Sequence, residues 1–362
     1  MNKRTFRAKY VSMFIVLFFL CIGSGFVWAG LEFSMDEDCD VDGEDIHAFL
    51  LDDTFSMGDD LSGLAGAFGT VQEDCGALGS DDPVDGYPKW RERALIVFVN
   101  MVRMAPREYL EKHMADWERF MPADGILSAD RFPAVHPLYW NLGLNQAARY
   151  HAEDMAFNCQ TFQHASCDGT SAWDRIKRYY LDFSWIGENI ALGYSSPRHT
   201  VNQLLCDQYG GGCVVDGSPY DGHRDNIMSG NFNEMGGGHA EGNYHYWVQD
   251  FGARNLDDFS PIVSATHYFL SENATTFFLN YYDPQDGPPA QVSVIVDDSE
   301  YNLVLDTGSA QAGTYRKDLT SASGCRSYYF MVKTGNGNIY RYPEALYLHT
   351  YGEGGCTSDY GE

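Results

Sequence analysis

Phe162-Gln163-His164-Ala165-Ser166, Gly187-Glu188-Asn189-Ile190-Ala191 and Gly222-His223-Arg224-Asp225-Asn226-Ile227 are the stretches on which the reading of this chain turns. With Asp207 they offer two imidazoles and two carboxylates. Gathered in one cleft, that set makes a divalent-metal site: neutral imidazole binds zinc-like ions, and a carboxylate orients the ring or holds a water. The same groups can serve as general acid and base near neutral pH. Each also has a plainer reading. Glu188 can accept backbone N–H groups in a buried turn, and an isolated histidine is more often a satisfied core or surface residue.

Working outward, the surrounding segment alternates helices with short strands. Ala94, Leu95, Phe98, Met101 and Val102 recur at three- and four-residue steps and predict a helix that Pro106 closes or bends. A second helix runs between Leu144 and Ala156, with His151 on its apolar face, where core packing explains it better than ligation. Ser171 to Tyr180 predicts a third, striped by Trp173, Ile176 and Tyr180. Ser196-Pro197 is an N-cap and first-turn pair for a fourth, which Gly210-Gly211-Gly212 ends. Met235–His239 and Tyr244–Phe251 read as paired strands around a turn at 240–243. Helices interleaved with a small sheet predict an α/β/α layered domain over residues 86–255.

Beyond it the pattern changes. Ile262–Phe269, Thr275–Tyr282, Gln291–Val296, Tyr301–Leu305, Tyr328–Val332 and Leu346–Thr350 have β spacing, separated by turn residues such as Thr334-Gly335-Asn336-Gly337. Residues 256–362 therefore read as an all-β, sandwich-like domain, and the whole chain as α+β.

The motifs Phe-x-His, Gly-Glu-Asn-Ile and His-Arg-x-Asn-Ile occur in a fixed order. Asn100-x-x-Arg103, Asp174-Arg175 and Tyr246-Trp247-Val248-Gln249-Asp250-Phe251-Gly252 flank them. In that order and spacing they resemble the bacterial, SCP-like extracellular type of the CAP superfamily (cysteine-rich secretory proteins, antigen five, pathogenesis-related proteins). The resemblance covers about residues 90–253. It implies that His164, Glu188 and His223 are cavity residues, with Asp207 as the fourth member. The family pattern at the fourth position is Trp, two residues, then Glu or Ser. This chain has Leu204-Leu205-Cys206-Asp207, so a shorter acid stands there, and whether it reaches the cleft is left open. The resemblance further implies a secreted binding module for a lipid, a sterol or a protein, with a divalent metal such as zinc in the cavity. The alternative is a metal-assisted or acid–base hydrolase, with His164 and His223 on the metal and Glu188 as base. A purely structural exoprotein is the third reading.

The N-terminal side bounds location and charge. Lys3, Arg4, Arg7 and Lys9 precede an apolar run from Val11 to Cys21, and residues 1–29 read as a cleaved export signal with no membrane span remaining. The formal charge of −27 becomes −31 after such a cut, a field that repels phosphate backbones and argues against nucleic-acid partners. Asp36, Asp38, Asp40 and Asp42 alternate before Gly43, so residues 30–85 read either as a dockerin- or EF-hand-like calcium segment or as an acidic linker. Starting the loop at Asp38 puts Phe49 where the bidentate acid belongs. Eight cysteines outside the signal form neighbouring couples, 39 with 75, 159 with 167, 206 with 213 and 325 with 356, which fits disulfides in an exported protein. No Gly-x-Ser-x-Gly elbow, Cys/His nucleophile signature or phosphate-cradling loop is present.

Overall fold

A computed structural model describes residues 87–362 apart from 208–210, 257–259, 272–273, 286, 321–323, 353–355 and 362. The export-signal reading of residues 1–29, the acidic segment with Asp36, Asp38, Asp40 and Asp42, and the Cys39–Cys75 couple lie outside the described residues. Asp81–Glu362 form one compact unit.

Its centre is a helix buried on every side. α1 (Trp90–Met104) hides all but one of its residues, including Glu92, Arg93, Asn100 and Arg103. Charges survive there because each has named partners. Glu92 accepts from Asn145 Nδ2 and from Arg149 Nε and Nη2, at 3.2, 2.8 and 2.8 Å. Arg93 forks onto Asp359 at 2.5 and 3.1 Å. Arg103 donates to the carbonyls of His136, Ile227, Ser229 and Phe232. Ala105 breaks the helix, and Pro106 starts α2 (Pro106–His113) at a first-turn position where its missing N–H costs nothing.

On one side of α1 lies a four-stranded sheet, in the order β1 (Tyr139–Trp140), β3 (Glu234–Glu241), β4 (His245–Ala253), β2 (Trp185–Leu192). β1 joins parallel and the rest are antiparallel, so β2 is an edge. α3 (Leu142–Glu153) and α4 (Ala172–Tyr179) cover the far face. Close approach there requires glycine: a Cβ on Gly236 or Gly238 would stand 2.0 and 2.2 Å from the α3 backbone. α5 (Pro197–Cys206) and α6 (Gly222–Met228) lie on the α1 side.

On the other side of α1 is the β region. Its first sheet runs β5 (Ile262–Ser271), β6 (Ala274–Tyr282), β10 (Ala312–Thr320), β9 (Val304–Ser309). The second runs β14 (Tyr360–Gly361), β13 (Tyr347–His349), β11 (Ser327–Lys333), β7 (Gln291–Val296), β8 (Ser299–Asn302), with β12 (Ile339–Tyr342) on β11. Phe277, Leu279, Val294, Tyr328 and Phe330 fill the core between them. The α+β class, the layered domain and the β sandwich are as the sequence predicts.

Several details differ. Tyr301–Leu305 is two strands on different sheets, because Leu303 between them turns into the sandwich core. β10 and β12 escape the sequence reading, since β10 mixes charged and apolar residues on a half-covered surface. Trp173 is 49 % exposed rather than part of a buried stripe, while Ile176 and Tyr180 are buried. The fourth helix ends at Cys206 on left-handed Asp207, short of the glycine run. Three disulfides, Cys159–Cys167, Cys206–Cys213 and Cys325–Cys356, match the neighbouring couples. Among the described residues no helix is long and apolar enough to cross a membrane.

Candidate functional site

His164 sits on a stapled loop. α3 runs into a π turn, Asp154–Cys159, and Cys159–Cys167 closes the loop over it. Asp154 accepts from the Cys167 N–H at 2.6 Å, and the buried His151 ring meets the Gln163 carbonyl through Nε2 at 2.9 Å. His151 is therefore a loop anchor within the core. From α4, Arg175 donates to the His164 carbonyl at 3.2 Å and to Ser166 Oγ at 2.9 Å. The backbone around His164 is thus held at both ends, while 55 % of its side chain stays exposed.

Glu188 comes from the middle of the edge strand β2. Its Oε1 accepts from His164 Nδ1 at 2.7 Å, and its Oε2 is paired with the Arg175 guanidinium. Only 2 % of the Glu188 side chain is exposed. The plainer reading, backbone N–H groups in a turn, does not hold: its partners are a ring and a guanidinium. Asp250, the cross-strand partner of Glu188, is fully buried. Burial, then the neighbouring Glu188 charge, pushes its carboxyl well up, against the pull of Arg175, favouring the neutral form.

His223 is built by the opposite half of the cluster. α5 ends on Asp207 at φ 47°, and the Cys206–Cys213 bridge folds the following loop back. Asp207 Oδ1 accepts from His223 Nδ1 at 2.5 Å, and Oδ2 from the Arg224 N–H at 3.0 Å. The shorter acid therefore reaches its histidine. Arg224, fully buried, ties this corner together by donating to the carbonyls of Leu205 and Val214 and to Asp216. The His223 side chain is 37 % exposed.

Alternation along β2 sends Glu188 toward α4 and Asn189 toward α6. Asn189 Nδ2 donates to the His223 carbonyl and to Gln249 Oε1, each at 3.1 Å. Asn226 Nδ2 donates to Asn189 Oδ1 at 2.8 Å and to the Glu188 carbonyl at 3.3 Å. The four expected side chains are thus brought together as two imidazole–carboxylate couples linked across the edge strand by amides. They are not a single ring of four ligands: among the described residues no three His, Cys, Asp or Glu side chains are grouped to share a metal ion. Arg175, Asn189, Asn226, Gln249 and Asp250 complete the cluster. Their presence inside the quoted motifs was the only sequence signal for them.

Residues 133–251 match the model of the CAP, cysteine-rich secretory protein, family. Over 117 residues the chain is 30 % identical to the uncharacterized protein YkwD of Bacillus subtilis, covering 32 % of this chain and 40 % of that one. It is similar to an outer surface protein of Borrelia burgdorferi at 23 % identity, over 33 % of this chain and 80 % of that one, with a TM-score of 0.27. An extracellular, SCP-domain protein of Bacillus anthracis is similar at 20 % identity, over 42 % and 40 % of the two chains, also with a TM-score of 0.27. The match therefore spans less than half the length of YkwD. Residues 133–251 of this chain are therefore a CAP-family domain.

Proposed function

We propose that this is an extracellular binding module whose edge-strand site takes a divalent transition metal on Nε2 of His164 and of His223. The observation that carries the reading is the carboxylate on each Nδ1. A ring that donates Nδ1–H to a carboxylate holds its lone pair on Nε2, the arrangement that prepares a histidine for a metal. Both rings are exposed enough to be reached, and two imidazoles suit zinc or copper better than calcium. The two imidazoles are the donors this chain would offer, with Glu188 and Asp207 behind the rings as orienting groups and the remaining positions left to water or ligand. A bound metal would supply Lewis acidity toward an incoming ligand.

Exposed Phe162, Trp173, Trp185 and Tyr220 belong to the segments that carry His164, Arg175, Glu188 and His223. Apolar rings beside a polar site favour a lipid, sterol or protein surface as ligand. The hydrolase reading has less support, because both oxygens of its intended base, Glu188, are committed and the group is buried.

Titration of the full chain with zinc and copper, followed calorimetrically, tests the proposal. His164→Ala with His223→Ala should weaken uptake by about 100-fold or more, and unchanged affinity would reject the site. Turnover on a peptide and ester panel that falls by about 10²-fold in Glu188→Gln would restore the hydrolase.

A further inference from the structure

A second candidate site lies on the β region, on the outer face of the sheet that carries β11. Alternation along β11 turns Tyr328, Phe330 and Val332 into the core and leaves Ser327, Tyr329 and Met331 facing outward. Register places Tyr329 opposite Ile295 on β7 and beside Tyr347 on β13. The two tyrosine rings meet at 5.6 Å, and Tyr347 is 37 % exposed. The Arg341 guanidinium lies over both rings, at 4.4 and 5.3 Å, and is clamped by the carbonyls of Pro343 and Leu346 at 2.5 Å each. The turn after β7 brings Asp297 and Asp298 to the same place. Asp297 is steadied by Arg326 Nε at 2.8 Å and by the Ser327 N–H at 3.1 Å, yet keeps 51 % of its side chain exposed. Ile295, Asp297, Asp298, Ser327, Tyr329 and Tyr347 line a cavity of about 310 Å³.

We propose that this cavity binds a neutral saccharide chain. Four ligand chemistries can be weighed against the lining. An anion meets the two aspartates. A cation finds Asp297 already paired with Arg326, and the Arg341 guanidinium stands over both tyrosines beside the cavity. A wholly apolar ligand would strip water from the charged groups without replacing their hydrogen bonds. A sugar ring suits the lining, because its C–H face can lie on tyrosine while its hydroxyls donate to the aspartates and meet the Ser327 hydroxyl. The platform is built on paired strands with its arginine already fixed, so little ordering remains to be done on binding. A saccharide site here would give the secreted chain a hold on glycan surfaces independent of the histidine site.

The test uses the full chain: co-sedimentation with insoluble β-1,3-glucan, cellulose and chitin, and affinity gel electrophoresis in starch and mannan. Retention on at least one polymer is expected. Tyr347→Ala and Tyr329→Ala should each weaken it by about tenfold, the scale of one lost aromatic contact. Tyr347→Trp should preserve retention, and Asp298→Asn should reduce it several-fold. Tyr347→Ala, which gives up the Tyr329 and Arg341 contacts, should lower the unfolding midpoint by only a few degrees, so that lost retention is read on a folded chain. His164→Ala with His223→Ala should retain as the native chain does. No retention on any polymer, or retention indifferent to both alanine substitutions, overturns the proposal.

Discussion

The histidines at the edge of β2 and those in the seam between α1 and β5 share a side chain and little else. His164 and His223 are substantially exposed, and each has a carboxylate on Nδ1. His267, on β5, is wholly buried beside Trp90 and has neutral partners only. Its Nε2–H donates to the Tyr351 carbonyl at 2.6 Å, and its Nδ1 accepts from the Tyr328 hydroxyl at 2.7 Å. Burial, the larger influence, lowers its pKa to about 3. The ring in the seam is a structural amide in effect, and the rings at the edge stay open to solvent. Solvent access and the charge of the partner separate the two roles, and neither is a property of the residue itself.

The largest expected effect probes how enclosed the edge site is. Arg175→Ala leaves the buried Glu188 carboxylate beside Asp250 without its cation, so denaturant unfolding should show a loss of about 3–5 kcal/mol. A loss below about 1 kcal/mol would make this pair equivalent to a surface ion pair and erase the contrast with the buried seam.

Acid tests the seam. A histidine whose folded pKa lies below its ordinary 6.5 contributes stability above that value and loses it as pH falls toward about 3. Unfolding free energy should therefore drop by a few kcal/mol between about pH 6.5 and 3, with His239, also lowered to about 3 by burial, adding its share. His267→Gln, which can still donate to Tyr351, should flatten that slope by close to one proton. An unchanged slope would place the titrating group elsewhere.

A smaller effect sharpens the role of the orienting acids. Asp207→Asn should lower zinc affinity by about ten- to a hundredfold in calorimetry, with the fold intact. No change would make the Asp207–His223 contact a structural tie and nothing more.

Ser196 joins the two regions. It caps α5, whose other end carries Asp207, and its Oγ meets the Tyr268 hydroxyl of β5 at 2.6 Å. Ser196→Ala should cost about 1 kcal/mol in thermal unfolding and leave zinc affinity alone. A parallel loss of affinity would show the edge and the seam to be coupled.

Much of this was legible in the sequence where the cause is local. The cap at Ser196, the break at Pro106, the hairpin before Phe251 and the neighbouring disulfides each depend on a few adjacent residues. His164, Glu188 and His223 could be picked out as an ordered pattern. What stayed hidden was their pairing. Arg175 reads as an ordinary helix-face cation, yet it holds Glu188 and the His164 loop together. Asp250 reads as one more residue of a strand, and only register puts it against Glu188. α1 looks amphipathic, but a second sheet covers the face that would have met water.

By itself the sequence determined most of the elements, their order, several of their ends, and which residues could do chemistry. Those follow from backbone sterics, side-chain periodicity and caps, all acting within a few residues. The tertiary structure alone decided which carboxylate meets which imidazole, which histidines keep water, and what encloses the central helix. These depend on groups distant along the chain meeting in one place, where burial and neighbouring charge, rather than residue type, set what each group can do.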